Sequence, residues 1–229
     1  MDSEPTSGEP PTGERRPIAS RDLPVMQRIA AWLVRHNASA NDISLAGMFA
    51  GMLAGISLAA TNYLDSPGLV RAAWLAGATF VQLRLLANLF DGMVAIGSGK
   101  ASPVGELYNE VPDRVSDAAT LIGLGFAAAS SPALGYLAAI AAVFTAYVRA
   151  MGKIVGGTQD FCGPMAKPQR MFLVTVCAVV MALLPSGWRP QWQTLGLPDL
   201  VLAVIFTGCL VTSIRRLRRA ARTVRSRTS

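Results

Sequence analysis

Two groups of oxygen-bearing side chains interrupt neighbouring apolar segments of the chain. Asn88 and Asp91 lie near the end of one long apolar run, and Asn109 and Asp113 precede the next. An ionised aspartate at the centre of a membrane helix disfavours insertion by about 2.5–3.5 kcal/mol, so such groups need a binding partner. Oxygen ligands without His or Cys favour Mg²⁺ or Mn²⁺ over zinc. The residue types therefore predict a divalent cation site.

Helical periodicity places the members of each group on one face. At about 100° per residue, Arg84, Asn88 and Asp91 fall within about 60–80° of one another. The carboxylates on the next helix repel one another as like charges, which favours a bound cation. On the next helix the oxygen-bearing residues share an arc of about 100°, and they are Glu106, Asn109, Glu110, Asp113 and Asp117.

A second interpretation of the same residues involves no cation. Asp113 or Asp117 would pair with Arg114, and Asp91 with Arg84, so that the charges only join the helix ends. Buried acids and bases require such partners in any case. Both interpretations stay open from the residues alone.

The elements that carry these groups are those of a membrane protein. Hydrophobic residues make up 52% of the 229 residues and charged residues only 15%, which excludes a soluble domain of ordinary composition. Apolar runs cover about residues 44–64, 68–96, 115–129, 133–148, 171–184 and 197–214. Most reach the roughly 17–25 residues of a membrane-crossing helix once their flanks are included. We therefore predict an all-α membrane protein with six transmembrane helices.

The segments outside these runs predict an interfacial helix and two tails. Met26, Ile29, Ala30 and Leu33 follow the i, i+3, i+4, i+7 pattern of an amphipathic helix, here expected on the membrane surface. Residues 1–22 are rich in Pro, Gly, Ser, Thr and Glu and lack the apolar core of a signal peptide, which predicts a disordered tail. Residues 23–214 then form the membrane domain, and residues 215–229 form an arginine-rich cytoplasmic tail.

The basic residues predict the topology. The formal charge of +7 is concentrated at the ends of alternate apolar runs. By the positive-inside rule both termini are expected in the cytoplasm. We expect the protein in the cell's inner membrane. We expect no nucleic-acid partner, because the basic residues are explained by the topology. Cys162, Cys177 and Cys209 are an odd number without metal-ligand spacing, so neither a disulfide nor a zinc site is predicted.

The spacing of the polar residues resembles a known signature. The pattern D-x2-D-G-x2-A-R-x8-G-x3-D-x3-D marks the CDP-alcohol phosphatidyltransferase family, and this chain keeps every spacing in it. With the six apolar runs and the amphipathic segment, the resemblance covers about residues 23–214. The matching positions are Asn88, Asp91, Gly92, Ala95, Ile96, Gly105, Asn109 and Asp113.

The resemblance implies a site. In the family, four carboxylates hold two divalent cations at the diphosphate of a CDP-alcohol, and the last carboxylate is the base that acts on the acceptor alcohol. Carried over by position, Asp113 would be this base. Gly92 and Ala95 would let the cytidine nucleotide approach the backbone. The metal ligands would be Asn88, Asp91, Asn109 and Asp113.

The chain departs from the signature at three positions. Asn88 and Asn109 stand where the signature has Asp, and Ile96 stands where it has Arg. An amide keeps a carbonyl ligand but no charge, so the affinity for two divalent cations is expected to fall.

Neighbouring residues are predicted to compensate for these departures. Glu106 and Glu110 lie on the same arc as Asn109 and would restore negative charge as further metal ligands. Arg84, about two turns before Asp91, would bind phosphate in place of the missing arginine. Asp117 is predicted to form a salt bridge or a packing contact and to bind no metal.

Basic residues near the ends of the fourth and fifth runs form a second group. In a member of this family they would bind a phosphate of the acceptor or of the lipid. Positive-inside anchoring explains them equally well. They are Arg149, Lys153, Lys167 and Arg170.

The reaction implied by the resemblance is a phosphotransfer in phospholipid biosynthesis. A phosphatidyl group would move from a CDP-alcohol, CDP-diacylglycerol above others, to a small alcohol with release of CMP. The implied partners are these substrates, membrane lipid and a second copy of the chain. Two alternatives stay open: a divergent homologue with little or no activity that binds nucleotide or lipid, and a small ion-coupled transporter.

Overall fold

The computed structural model describes residues 23–99, 103–155, 162–185, 191–192 and 195–228. Within them the chain forms helices and two short antiparallel strands, β1 (Gln191–Trp192) and β2 (Leu195–Gly196), which lie between the last two helices along the chain. The predicted tail, residues 1–22, lies outside the described residues. The helices are α1 (Pro24–Arg35), α2 (Ala40–Ala60), α3 (Pro67–Gly97), α4 (Pro103–Gly125), α5 (Pro132–Ile154), α6 (Lys167–Leu183) and α7 (Leu197–Thr228).

The prediction of a helical protein with membrane-spanning segments is confirmed, whereas the predicted number of spans is not tested. In the described part of the chain, α2, α3, α5 and the segment Leu197–Arg225 of α7 are long and apolar enough to cross a membrane. The other two predicted spans correspond to α4 and α6. Acidic residues crowd the first half of α4, and the 17 residues of α6 reach about 25 Å at 1.5 Å per residue. Six membrane spans therefore stay a prediction.

Helix α2 lies between α3 and α4 and contacts both through one stripe of glycines. Gly47, Gly51 and Gly55 recur every fourth residue, so they share a face. A Cβ at Gly47 would lie 2.8 Å from the Ala87 side chain of α3, and a Cβ at Gly55 would overlap the Ala119 carbonyl of α4. The absence of side chains along this stripe lets α2 approach both α3 and α4, the two helices that carry the polar groups.

The remaining helices complete the bundle around an apolar core. Helix α6 packs on α3, while α5 packs between α4 and α7. Gly125 and Gly135 allow α4 and α5 to meet closely, because a Cβ at Gly125 would lie 2.7 Å from the Gly135 Cα. The core between these helices contains Leu58, Trp74, Val81, Leu121, Leu124, Val174, Leu202 and Ile205.

The two ends of the chain extend the bundle. Helix α1 has the predicted amphipathic sequence; Ala30 is buried, and Val25, Ile29 and Trp32 are exposed. The segment predicted as an arginine-rich tail is helical and continuous with α7 up to Thr228. Within the described residues, Cys162, Cys177 and Cys209 form no disulfide bond.

A methyl group at Gly55 is expected to destabilise the bundle. Gly55→Ala places a Cβ against the Ala119 carbonyl, so α2 and α4 must separate, at a cost of about 1–3 kcal/mol. Gly68→Ala is the matched control, since its Cβ has Ser66 Oγ at 3.9 Å as its nearest neighbour. Thermal unfolding in detergent measures the difference. Equal melting temperatures for the two variants would contradict the close contact.

Candidate functional site

The two predicted polar groups meet beside the first half of α2. Arg84 of α3 is 2% exposed, and its guanidinium forms an ion pair with Asp113 of α4. Its Nε donates a hydrogen bond to Ser116 Oγ at 2.8 Å. Gly47 of α2 leaves the space that the guanidinium occupies, because a Cβ there would lie 2.8 Å from Arg84 Nη1. Arg84 therefore joins the two helices at the level of Asp113.

Asp113 is surrounded by positive charge. Its Oδ1 contacts Arg84 and also accepts a hydrogen bond from Lys167 Nζ at 2.7 Å. Arg114 lies 3.5 Å from Oδ2. The Asp113–Arg114 pair is one that the sequence predicts, whereas Lys167 comes from α6, 54 positions further along the chain.

Asp91 has a different environment. It is 3% exposed, and its Oδ2 accepts a 2.6 Å hydrogen bond from Ser44 Oγ of α2. The pairing of Asp91 with Arg84 that the sequence allows is wrong, because Arg84 forms its ion pair with Asp113. A neutral donor therefore orients this carboxylate.

Asp117 forms the salt bridge that was predicted for it, with a partner other than Arg114. Arg170 of α6 donates from Nη2 to Asp117 Oδ2 at 2.8 Å, and both side chains are at most 3% exposed. Arg170 Nη1 also donates to the Met165 carbonyl. Lys167 and Arg170 are one turn apart on α6, as Asp113 and Asp117 are on α4. Two parallel ion pairs therefore connect these helices.

Glu110 lies at the outer edge of the site. Its Oε1 accepts a 2.5 Å hydrogen bond from Arg149 of α5, and its Oε2 lies 3.3 Å from Arg114. Lys153 is exposed near the end of α5. The side chain of Glu106 lies outside the described residues. Gly92 and Ala95 are partly buried on α3, and Ile96 is 55% exposed.

Three oxygens at the signature positions are buried without a hydrogen-bond partner among the described residues, namely the Oδ1 atoms of Asn88, Asp91 and Asn109. Asp117 Oδ1 is also buried without such a partner. Buried polar atoms are almost always paired, so three such oxygens at the predicted metal positions indicate a ligand-binding site. The described residues contain no group of three or more His, Cys, Asp or Glu side chains with metal-binding geometry. Any cation here therefore depends on the amide oxygens.

The structure adds Ser44 and Ser116 to the residues that sequence reasoning identified. Both contact predicted site residues, and both lie beside the glycine stripe of α2. The spacing of Ser44, Gly47 and Gly51 on one helical face was the available signal, since small residues at such spacing allow close helix contact in membranes.

Comparison with known proteins supports the conclusion that this chain is an integral membrane protein related to enzymes of phospholipid synthesis. No family model matches the chain. The inner membrane protein YnbA of Escherichia coli is 26% identical over 189 residues, covering 82% of this chain and 86% of that protein. The phosphatidylinositol phosphate synthase of Streptomyces avermitilis is 28% identical over 199 residues, covering 84% of this chain and 76% of that protein.

The fold is similar to that of a solved enzyme. Phosphatidylinositol phosphate synthase (PgsA1) of Mycobacterium tuberculosis with CDP-DAG bound aligns with a TM-score of 0.67 and 21% identity, covering 86% of this chain and 94% of that chain. The same protein in complex with manganese and citrate aligns with a TM-score of 0.68 and 20% identity, covering 85% of this chain and 88% of that chain. The helical arrangement described above is therefore one that a known enzyme uses.

Proposed function

We propose that this chain is a CDP-alcohol phosphatidyltransferase that transfers a phosphatidyl group from CDP-diacylglycerol to a small alcohol. The spacing of its signature residues and the two relatives named phosphatidylinositol phosphate synthase support the proposal. The acceptor oxygen forms a bond to phosphorus, the bond from phosphorus to the CMP oxygen breaks, and CMP leaves. The observation that carries the proposal is the pair of buried carboxylates at signature positions: Asp91, which accepts a hydrogen bond from Ser44 of α2, and Asp113, which forms an ion pair with Arg84 of α3.

A divalent cation, Mg²⁺ or Mn²⁺, fits part of this site. The unpartnered oxygens of Asn88, Asp91 and Asn109 are the hard ligands that such ions prefer. When bound, the ion would offset the negative charge of the diphosphate and of the departing CMP. Glu106 and Glu110 stay candidate ligands, although Glu110 is engaged by Arg149. The solved relative in complex with manganese supports this choice of ion.

Asp113 is the base in this proposal. The acceptor hydroxyl must lose its proton as it attacks, and Asp113 is a carboxylate at the last signature position. Arg84 and Lys167 both contact Oδ1, whereas Oδ2 is 3.5 Å from Arg114. We therefore assign proton transfer to the less tightly held oxygen, Oδ2.

The basic residues divide into two roles. Arg170 is buried against Asp117, so we assign it to positioning α6. Arg149, Lys153 and Lys167 remain the residues proposed to attract a substrate phosphate. Arg84 stays a candidate to bind phosphate, as proposed from the sequence, although its Nη2 forms the ion pair with Asp113. Gly92 and Ala95 remain the proposed contacts of the cytidine nucleotide.

The proposal includes the arrangement in the membrane. Residues 23–214 form the catalytic membrane domain, with six spans, an interfacial α1, and both termini in the cytoplasm. The exposed Val25, Ile29 and Trp32 of α1 support its interfacial position. The arginines after residue 214 support a cytoplasmic C-terminus. A homodimer in the inner membrane is the proposed assembly.

A release assay tests the function. Purified protein in detergent receives CDP-diacylglycerol, Mn²⁺ or Mg²⁺ and a panel of small alcohols, and free CMP is measured. We expect CMP release that depends on the cation and on one or a few alcohols. Release that does not respond to any alcohol would contradict transfer to an acceptor.

A homologue without catalysis is the second candidate, because Asn88, Asn109 and Ile96 remove charges that the family signature contains. Binding of CDP without CMP release would identify it. A transporter predicts neither result. The buried Asp199 at the start of α7 does not favour transport, since it accepts hydrogen bonds from the backbone of Ser131 and Gly196 and so serves as a structural cap.

Removal of the Ser44 hydroxyl is expected to weaken cation binding. Ser44→Ala leaves Asp91 Oδ2 without its 2.6 Å hydrogen bond, so the carboxylate is less well oriented, and Mn²⁺ affinity should fall about 10- to 100-fold. Thr207→Ala is the control, because the Thr207 hydroxyl is exposed and donates to its own helix. Mn²⁺ titration of both variants in the presence of CDP measures the effect. Equal affinities would exclude a role for Ser44 in orienting Asp91.

A further inference from the structure

The two carboxylates of the site differ in their surroundings. Asp113 contacts three cationic side chains, with Arg84 and Lys167 at one oxygen and Arg114 near the other. Asp91 accepts a hydrogen bond from the neutral Ser44, and its second oxygen has no partner in the described residues. One carboxylate is therefore already neutralised by the protein, and the other retains a coordinating oxygen.

The guanidinium of Arg84 next to Asp113 is part of the helix packing. Arg84 is 2% exposed, and Ser116 holds its Nε. The missing side chain at Gly47 provides the space for its guanidinium. Lys167, at the first residue of α6, is 12% exposed and approaches the same oxygen. A divalent ion at Asp113 would have to displace these groups or lie beside them, and like charges repel strongly away from water.

Three of the unpartnered oxygens lie at the remaining signature positions. Asn88 and Asp91 are on one face of α3, and Asn109 precedes Asp113 by one turn of α4. These positions supply two neutral carbonyl oxygens and one carboxylate. Such a set binds one hard cation and leaves its other coordination positions to water and phosphate.

We propose, resting on the function proposed above, that this site binds one divalent cation where the family signature implies two. Asn88, Asp91 and Asn109 hold that ion. Arg84 and Lys167 supply at Asp113 the positive charge that the second ion would otherwise bring. The two Asn substitutions and the side chains of Arg84 and Lys167 then have one explanation. The substitutions remove negative charge and the basic side chains neutralise it, and a second divalent ion would require that charge.

The stoichiometry of Mn²⁺ tests this site directly. Equilibrium dialysis of the purified protein with Mn²⁺ and CDP should give one Mn²⁺ per chain, and electron paramagnetic resonance should show the six-line spectrum of an isolated ion. Two ions per chain, or a spectrum broadened by coupling between two close ions, would overturn the proposal. So would a failure to bind Mn²⁺.

A variant with more negative charge at the site tests whether Lys167 takes the place of the second ion. Asn109→Asp together with Lys167→Met adds a carboxylate and removes a cation, and we expect the stoichiometry to rise from one to two. Asn109→Asp alone is the matched control and should stay at one. A stoichiometry of one in the double variant would overturn the assignment of Lys167, provided that its elution volume and melting temperature match those of the control.

The CMP assay distinguishes this inference from the proposed function. CMP release together with two bound Mn²⁺ overturns the single-cation site and leaves the function standing. One bound Mn²⁺ without CMP release from any alcohol supports the single-cation site and overturns the function.

Discussion

Asp113→Asn is expected to reduce CMP release by about 10²–10⁴-fold, the usual contribution of a general base. The amide has nearly the same shape but cannot take the proton of the acceptor hydroxyl. It also loses the negative charge that Arg84 and Lys167 contact. The rate of CMP release at saturating CDP-diacylglycerol and alcohol measures this effect.

The control for this variant is the same change at an exposed position. Asp65→Asn lies in the connection between α2 and α3 and should release CMP at the wild-type rate. Binding of CDP to both variants, measured separately, shows whether the site is still formed. Full activity of Asp113→Asn with normal CDP binding would remove Asp113 from the proposed mechanism.

Asp117→Asn is expected to destabilise the protein by about 3–5 kcal/mol, because it leaves the charge of Arg170 buried without a counter-charge. Both side chains are at most 3% exposed, and their ion pair joins α4 to α6. Few other contacts connect these two helices directly. Thermal unfolding in detergent should show the loss as a clear fall in melting temperature.

A double substitution distinguishes the stability that the ion pair contributes from the cost of burying one charge without its partner. Asp117→Leu together with Arg170→Met replaces both charges by apolar groups, and much of the stability should return. Arg71→Met, at an exposed position of α3, should change the stability little. If the double variant is no more stable than Asp117→Asn, then the cost arises from packing, and the buried pair does not explain it.

Local patterns in the chain predicted which helices carry the site and which site residues share a helix face. The helical period placed Asn88 and Asp91 on one face of α3, and Glu110, Asp113 and Asp117 on one face of α4. Proline marked the first residue of α4 at Pro103. These features depend on residues within a few turns of one another, so a single stretch of sequence contains the information.

Partner choice could not be predicted in the same way. Arg114 is adjacent to Asp113 and three residues before Asp117, yet Asp117 pairs with Arg170, 53 positions away. Arg84 is two turns before Asp91 and pairs with Asp113. The choice depends on which helices pack together: the glycine stripe of α2 lies against α3 and α4, and α6 packs on α3. No local spacing records these contacts.

By itself, the sequence determined the class of protein and the positions of the polar groups. Hydrophobic content requires a membrane, and helical spacing aligns Asn88, Asp91, Asn109 and Asp113 whatever the rest of the chain does. Only the tertiary structure decided their electrostatic state. It placed Arg84 and Lys167 on Asp113 and left Asp91 with a free oxygen. The reason is physical: the field at a carboxylate depends on every charge within a few ångströms, and here those charges come from three different helices.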